Sequence, residues 1–586
     1  MTVNTGETVM TVNTRSNANA SESFLKFALQ HSTVWAFIIT FGIMLFNGAL
    51  FYYLAQDVHY TDTDCYTRAL RIIDWLEEYQ WSEKIFPYFN PPQGFVLHFT
   101  RICDVIWLAL SAPFLPFMPL KDAVFYGGLA FSPLFMALSL AVIFWGIKPY
   151  LPTMPNRNII FVMFSLICLY NFSKLSGTFD FTRPDHHSLM AFVMSAGVAV
   201  ILRNHIRIDL RYLLISGILC GMGMWASSAI EGLFAVAVIL SILAFNRIFY
   251  RHTGKELIYF SLGLFLSVTA AWLINPPYGG YAEIDINRLS VVHAALTALM
   301  FLAFLALNLI KTENKYILIS AFGTAAGVCA GIMLLIFGTD NLFVSIYDPF
   351  VRENFVPYIA EMEHQSLFGY ETPAFFFGAG TMLWLLYKDK GRQAYVTDMF
   401  IFFVCICLAA LMYRRFFPYY VVIYQVVCGL ALFILAYISQ KSDKLKWVML
   451  IYVVVPIMYL NSWYVDPPAY ASPKLKSPVL AEIFEAPEKM FFDNVDTVGG
   501  PYHVDIEGIK DSHIMWFTTD ENELKSLLKK HNVQTVYLPK NERPDYYVEP
   551  EKNTDKLYGK IMCDKDMYPW LIKQEEGVYT VDYTKF

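Results

Sequence analysis

Long apolar runs, each broken by a polar turn, dominate the chain from about residue 34 to residue 463. A helix needs roughly 20 apolar residues to cross a hydrocarbon core about 30 Å thick. The runs at 34–56, 122–147, 159–174, 187–203, 211–227, 230–247, 257–275, 289–310, 316–337, 373–388, 396–413, 417–439 and 446–463 match or approach that length. The pattern predicts an all-α polytopic membrane domain over 33–463 with about thirteen transmembrane helices.

Beyond Trp463 the apolar runs stop and charges rise. There HIMWF reads as a strand, DENELKSLLKKH as a helix with Asp520 as N-cap and Glu523 three residues later, and VQTVYLP as a strand. A small C-terminal α/β domain is expected over 464–586. Residues 1–32 are rich in Thr, Asn and Ser, without the basic start and apolar run of a secretory signal, and read as a disordered cytoplasmic tail.

Charge orients the spans. With the N-terminus inside, alternate turns read KPYLPTMPNR, RNHIRIDLR, NRIFYRHTGKE, KTENK, KDKGR and KSDKLK, which together hold sixteen Lys and Arg. The opposite turns after the first hold only Lys174, Arg183, Arg288, Arg352, Arg414 and Arg415, so the positive-inside rule is met turn by turn. An odd number of spans then places the C-terminal domain outside. The expected location is the inner or plasma membrane of a bacterium.

Two outer connections are long. The first, 57–121, holds YTRALRIIDWLEEYQW, read as an amphipathic helix lying laterally at the membrane interface, followed by the chain-breaking NPPQGFVLHFTR. The second, 338–372, exceeds a tight turn and is a candidate substrate loop or lid.

Composition narrows the function classes. At 56% hydrophobic, 16% charged and a mean hydropathy of +0.41, the 586-residue chain is far more apolar than soluble proteins. A net charge of −6 and the lack of a dense basic patch argue against a nucleic-acid partner. Nine cysteines without CxxC spacing indicate no disulfide framework and no thiolate metal site.

Four outer stretches then carry the candidate chemistry. Asp62 and Asp64, just outside the first span, suit deprotonation of an acceptor hydroxyl or oxygen ligation of a hard cation; a solvated helix start accounts for the same acids. In FDFTRPDHH, Asp185, His186 and His187 offer metal ligands or a proton acceptor, and Arg183 a phosphate contact, against the reading of an interfacial cap with a charge pair. Adjacent residues do not share a helix face, so at most one of His186 and His187 is expected to point into a site. Glu361, Glu363 and His364 form a third group, with surface charges as the competing reading. Arg414 and Arg415 suit a phosphate head group, although arginines at helix ends also snorkel to lipid. Glu231, in a short outer turn, is a weaker candidate for the same cavity.

In order and sidedness these motifs resemble the GT-C superfamily of glycosyltransferases, most closely the catalytic subunit of oligosaccharyltransferase. The matched residues are Asp62 or Asp64 with Tyr66 and Arg68, the turn Asn90-Pro91-Pro92-Gln93-Gly94, Asp185-His186-His187, Ala360-Glu361-Met362-Glu363-His364-Gln365, and Arg414 or Arg415 before Pro418. The resemblance implies a GT-C-like fold of about thirteen helices with a C-terminal outer domain, and inverting transfer of a sugar or oligosaccharide from a polyprenyl-phosphate-linked donor. It implies Asp64 or Asp62 as the base, Glu363 as the functional acid of the late loop, Arg414 or Arg415 on the donor phosphate, and Asp185, His186 and Glu363 around an optional divalent cation, Mg or Mn. The family's Trp-Trp-Asp-Tyr-Gly signature, which reads an acceptor sequon, is absent; Trp463-Tyr464-Val465-Asp466 holds its place. A glycan or lipid acceptor is therefore expected ahead of a protein. The alternative from another class is a transporter or flippase of lipid-linked saccharide, which would place ionisable groups near mid-membrane.

Overall fold

The computed structural model describes residues 32–55, 59–82, 84–150, 180–227, 231–250, 253–339, 348–355, 357, 393–412, 419, 474–539 and 549–586. The expected spans at 159–174, 373–388, 446–463 and, but for Tyr419, 417–439 lie outside the described residues, as does the expected tail up to residue 31. The membrane part consists of α1 (Ser32–Ala55), α2 (Thr63–Glu78), α3 (Arg101–Ser111), α4 (Leu120–Leu129), α5 (Phe131–Ile147), α6 (His186–Asn204), α7 (Leu210–Ala226), α8 (Leu233–Phe249), α9 (Lys255–Ile274), α10 (Val291–Asn308) and α11 (Lys315–Phe337), then α12 (Pro349–Asn354) and α13 (Gln393–Met412). Five stretches among the described residues are long and apolar enough to cross a membrane: Leu120–Gly146, formed by α4 and α5 end to end, and the helices α6, α9, α10 and α11.

The helices pack by close backbone approach. A Cβ on Gly217 of α7 would lie 2.0 Å from the Phe260 carbonyl of α9, and one on Gly263 of α9 would lie 2.1 Å from the Leu214 carbonyl of α7. Small residues are what let helices meet where lipid offers no hydrophobic drive. Gly217→Leu is expected to force the pair apart and destabilise the fold by about 1–3 kcal/mol or more. Thermal unfolding in detergent reads this directly, and a wild-type midpoint would show that the pair absorbs the side chain.

The C-terminal part is a small α/β region: β1 (Val479–Leu480), α14 (Ala486–Asp493), α15 (Ile506–Phe517), α16 (Glu521–Lys530), β2 (Thr535–Tyr537), α17 (Leu557–Cys563), β3 (Leu571–Glu575) and β4 (Val578–Val581). Its sheet runs β1-β2-β4-β3, with β1 and β2 parallel and the other pairs antiparallel. The Asp520 side chain caps α16 by accepting from the Asn522 and Glu523 amides, as the sequence predicts. HIMWF, however, is the end of helix α15 and not a strand. Ile509, Ser512, Met515 and Trp516 are among its buried positions, a spacing of three and four that only a helix turns to one side.

The helix of the first long connection, α2, is buried between α3, α4 and the C-terminal α14. Buried charges make this possible. Asp104 of α3 is fully buried and takes Arg71 Nε at 3.3 Å and Arg101 Nη1 at 3.3 Å. Removing one partner of a buried ion pair strands the others without solvent. Asp104→Asn is expected to lower stability by about 3–5 kcal/mol, measurable as a fall in unfolding temperature; an unchanged midpoint would mean that the two guanidiniums do not need it.

The C-terminal region is tied to this connection through its backbone. Thr497 bridges both Val479 and Phe89, so the first connection adds an edge to the C-terminal sheet. His531 Nδ1 lies 2.7 Å from the Pro91 carbonyl, and its Nε2 lies 2.7 Å from Asp511. The start of the second long connection is anchored there too: Val351 and Phe355 lie in the C-terminal core, and Asp348 pairs with Lys510 at 3.2 Å.

Candidate functional site

The site forms where α2 and α6 begin, because both helices start on an aspartate. Asp62 is extended and caps α2 by accepting from the Asp64 amide at 3.0 Å; Asp185 is extended and caps α6 by accepting from the His186 amide at 2.6 Å. The two N-termini are laced together by a Thr61 N–H to Thr182 carbonyl bond of 3.1 Å. Arg183 spans the gap, with Nη2 2.6 Å from Asp62 Oδ2 and 3.8 Å from Asp185 Oδ2. Ser132 of α5 holds the connection by donating to the Arg183 carbonyl at 2.5 Å.

Asp185, His186 and His187 are all buried, and one donor atom from each lies within 4.8 Å of the others. His186 Nδ1 is 2.5 Å from Asp185 Oδ1, and His187 Nε2 is 3.4 Å from Asp185 Oδ2. Among the described residues, none donates a hydrogen bond to Asp185 Oδ2. Burial works to raise the Asp185 carboxyl pKa, yet His186, His187 and Arg68 outweigh it and hold the group well below the usual carboxylate range.

The expectation that only one histidine points inward is corrected: the two rings lie 4.2 Å apart and both face the cluster. At a helix start no preceding turn stands in the way, so two rings about 100° apart around the axis can fold over the open end.

Glu231, fully buried at the start of α8, closes the cluster. Its Oε1 is 3.0 Å from His187 Nδ1 and its Oε2 is 3.7 Å from His186 Nε2, while Tyr419 donates its hydroxyl to Oε2 at 2.7 Å. Sequence reading underrates this residue; the signal present was an acid within an apolar stretch at a helix end, which marks a functional position in membrane proteins. On the opposite side Arg68, 1% exposed, sits 3.3 Å from His186 Nδ1 and 3.8 Å from Asp185 Oδ1, with its guanidinium 3.9 Å above the Phe99 ring. Asp64, half-buried, follows two residues after Asp62, close enough for its charge to act on both Arg68 and Cys65, as does that of Asp185.

The fold thus brings together Asp62, Arg68, Arg183, Asp185, His186 and His187, six of the residues singled out from sequence, with Asp64 bonded through its amide to Asp62. Glu361, Glu363, His364, Arg414 and Arg415 lie outside the described residues. A donor set of two imidazoles and two carboxylates fits a divalent transition metal such as Zn better than Mg, since imidazole suits the former and oxygen the latter.

No protein-family model matches this sequence, and no curated protein sequence matches it. Solved structures do. The archaeal oligosaccharyltransferase AglB from Archaeoglobus fulgidus, in complex with an inhibitory peptide and a dolichol-phosphate, aligns with a TM-score of 0.61 at 13% identity over 87% of this chain and 69% of that one. The apo form of the Archaeoglobus fulgidus oligosaccharyltransferase aligns with 0.61 at 14% identity over 87% and 70%. A complex of that enzyme with Zn and sulfate aligns with 0.56 at 14% identity over 82% and 64%. In fold, this chain is similar to these archaeal oligosaccharyltransferases, and five stretches among its described residues are long and apolar enough to cross a membrane.

Proposed function

We propose that the protein is an inverting glycosyltransferase that moves a sugar or oligosaccharide from a polyprenyl-phosphate-linked donor to an extracytoplasmic glycan or lipid. The observation that carries this reading is the convergence of acids, histidines and arginines from separate connections at the ends of apolar helices. A donor with a polyprenyl tail stays in the bilayer, so its reacting carbon meets water only at such a place. The related fold of AglB is seen with a dolichol-phosphate.

In this reading Asp64 accepts the proton of the acceptor hydroxyl as its oxygen attacks the anomeric carbon. The bond from that carbon to the phosphate oxygen breaks on the opposite side, and the phosphate leaves with the electron pair. Arg414 or Arg415 neutralises the leaving group. Both Asp62 oxygens are engaged, one by the Asp64 amide and one by Arg183, which assigns Asp62 and Arg183 to positioning rather than proton transfer. Asp185, His186, His187 and Glu231 would hold a divalent cation, with Glu363 completing the set. When bound, such a cation supplies Lewis-acid stabilisation to the phosphate. The Arg68 guanidinium, held by Asp185 and Phe99, adds positive charge beside the site.

The transporter reading is less favoured, because the ionisable cluster sits where helices begin rather than at their centres. The test is incubation of the purified protein with a panel of polyprenyl-phosphate- and polyprenyl-diphosphate-linked sugars. Release of the lipid phosphate with sugar transfer is expected; translocation of intact donor without bond cleavage would support the transporter instead.

A further inference from the structure

The first connection ends in a stretch poorly suited to water. Residues 105–120 run VIWLALSAPFLPFMPL, with no charged, hydroxyl or amide side chain except Ser111. Ser111 is buried, and its hydroxyl donates to the Trp107 carbonyl at 3.0 Å. The side chains that the stretch exposes are therefore all apolar. Val105, Ala109 and Ala112, spaced four and three apart on one face of α3, are exposed, and beyond them so are Leu115 and Phe117, the last at 84%. Single exposed apolar residues are ordinary, but a continuous run of them marks an interaction surface.

The turn after α3 is held in place from its root. The Trp107 indole donates to the Val124 carbonyl of α4 at 2.7 Å, and a Cβ on Gly127 would lie 2.6 Å from Ser111 Cα, so α3 and α4 meet closely. Phe114 turns back on Tyr126, with ring centroids 6.3 Å apart. These contacts also give the turn a level. α4 opens the apolar stretch Leu120–Gly146, which is long enough to cross a membrane. Phe114 and Ser111 meet residues 126 and 127 of that stretch, which at the rise of an α-helix lie about 10 Å in from its start. The turn 112–119 thus runs beside the first two turns of the stretch instead of beyond its end. Its backbone suits such a place. Pro113, Pro116 and Pro119 have no N–H, and the amides of Ala112, Phe114 and Phe117 donate to the Leu108, Ser111 and Phe114 carbonyls, each at 2.9 Å. In hydrocarbon, an amide without such a partner finds no water to replace it.

We propose that the outward face of α3 and the turn 112–119 are embedded in the bilayer leaflet where the stretch Leu120–Gly146 begins, with lipid acyl chains as the partner of Val105, Leu115 and Phe117. Continuity selects lipid over a protein partner, because the exposed face passes into Leu120 and its membrane-length stretch without an intervening charge. The anchoring reaches the candidate site. Asp104, on the buried side of α3, holds Arg71 of α2, the helix that carries Asp64. Lipid contact at the turn therefore sets the depth of α2, whichever reaction the site performs.

The test places the full chain in nanodiscs of dioleoylphosphatidylcholine, with p-benzoylphenylalanine in place of Phe117 or, as a control, of Ile572, which is exposed on the charged strand β3. After irradiation, mass spectrometry is expected to find a phospholipid joined through an acyl chain at 117 and none at 572. A product joining 117 to a second copy of the chain, equal lipid adducts at both positions, or no lipid adduct at 117 would each overturn the embedding. Unfolding temperature in the same nanodiscs gives a second readout. Phe117→Asp is expected to lower it and Phe117→Leu to leave it near the wild type, because a charge in hydrocarbon must leave or be neutralised. A midpoint for Phe117→Asp at or above that of the wild type is the result for a side chain in water, and would reject lipid as the occupant.

Discussion

Asp64→Ala is expected to reduce sugar transfer by about 10²–10⁴-fold, the usual contribution of a positioned general base, while leaving membrane insertion and thermal stability close to wild type. The asymmetry follows from the two caps. Asp62 holds the start of α2 and the Arg183 side chain, so its replacement also loosens the link between the first two connections. Asp64 is half-buried and follows the cap, which Asp62 supplies. Asp62→Asn, which preserves the cap because Asn serves that position as well as Asp, is therefore expected to retain more activity than Asp64→Asn. The measurement is initial rate of product formation from a polyprenyl-linked donor, beside unfolding temperature for each variant. Comparable rates for Asp64→Ala and wild type would remove Asp64 from the reaction, and equal losses at both positions would deny the division of roles.

Chelation should abolish transfer, and Zn²⁺ should restore it at lower concentration than Mg²⁺, because two imidazoles belong to the cluster. Asp185→Asn is the informative variant. It keeps an N-cap acceptor for the His186 amide while removing the charge that draws His186 and His187 around Asp185. Metal affinity is expected to fall by about 10- to 100-fold or more, read as bound Zn²⁺ per protein by titration, independently of activity. Glu231→Gln should act in the same direction through His187. Full transfer in excess chelator, with no bound metal in the wild type, would dismiss the cation. Unaltered Zn²⁺ binding in Asp185→Asn would instead place the metal elsewhere.

What could be read from residue order alone was whatever depends on neighbours within a turn or two. The apolar runs identify helices such as α9, α10 and α11 because length and composition decide whether a segment leaves water. The Asp520 cap was legible because the acceptor and the amides it satisfies are two and three residues apart. Both acidic motifs were visible for the same reason, and their resemblance to a known family pointed to the fold. HIMWF was misjudged because a short apolar run has no period of its own; only the burial of Ile509 and Ser512 upstream shows the helical turn.

Which charges meet was decided by the tertiary structure. Arg68 reaches His186 across 118 residues, Arg183 reaches Asp62 across 121, and the Tyr502 hydroxyl reaches Thr67 across 435. Such contacts depend on how connections close over packed helices. Close backbone approach, as at Gly217 and Gly263, sets that closure, and no local window of sequence contains both sides of it. Glu231 shows the physical reason plainly. As a letter in an apolar stretch it is one acid among many; once the chain is folded, burial leaves it no water, so its charge must be met by His187 and the Tyr419 hydroxyl, and that need draws it into the site.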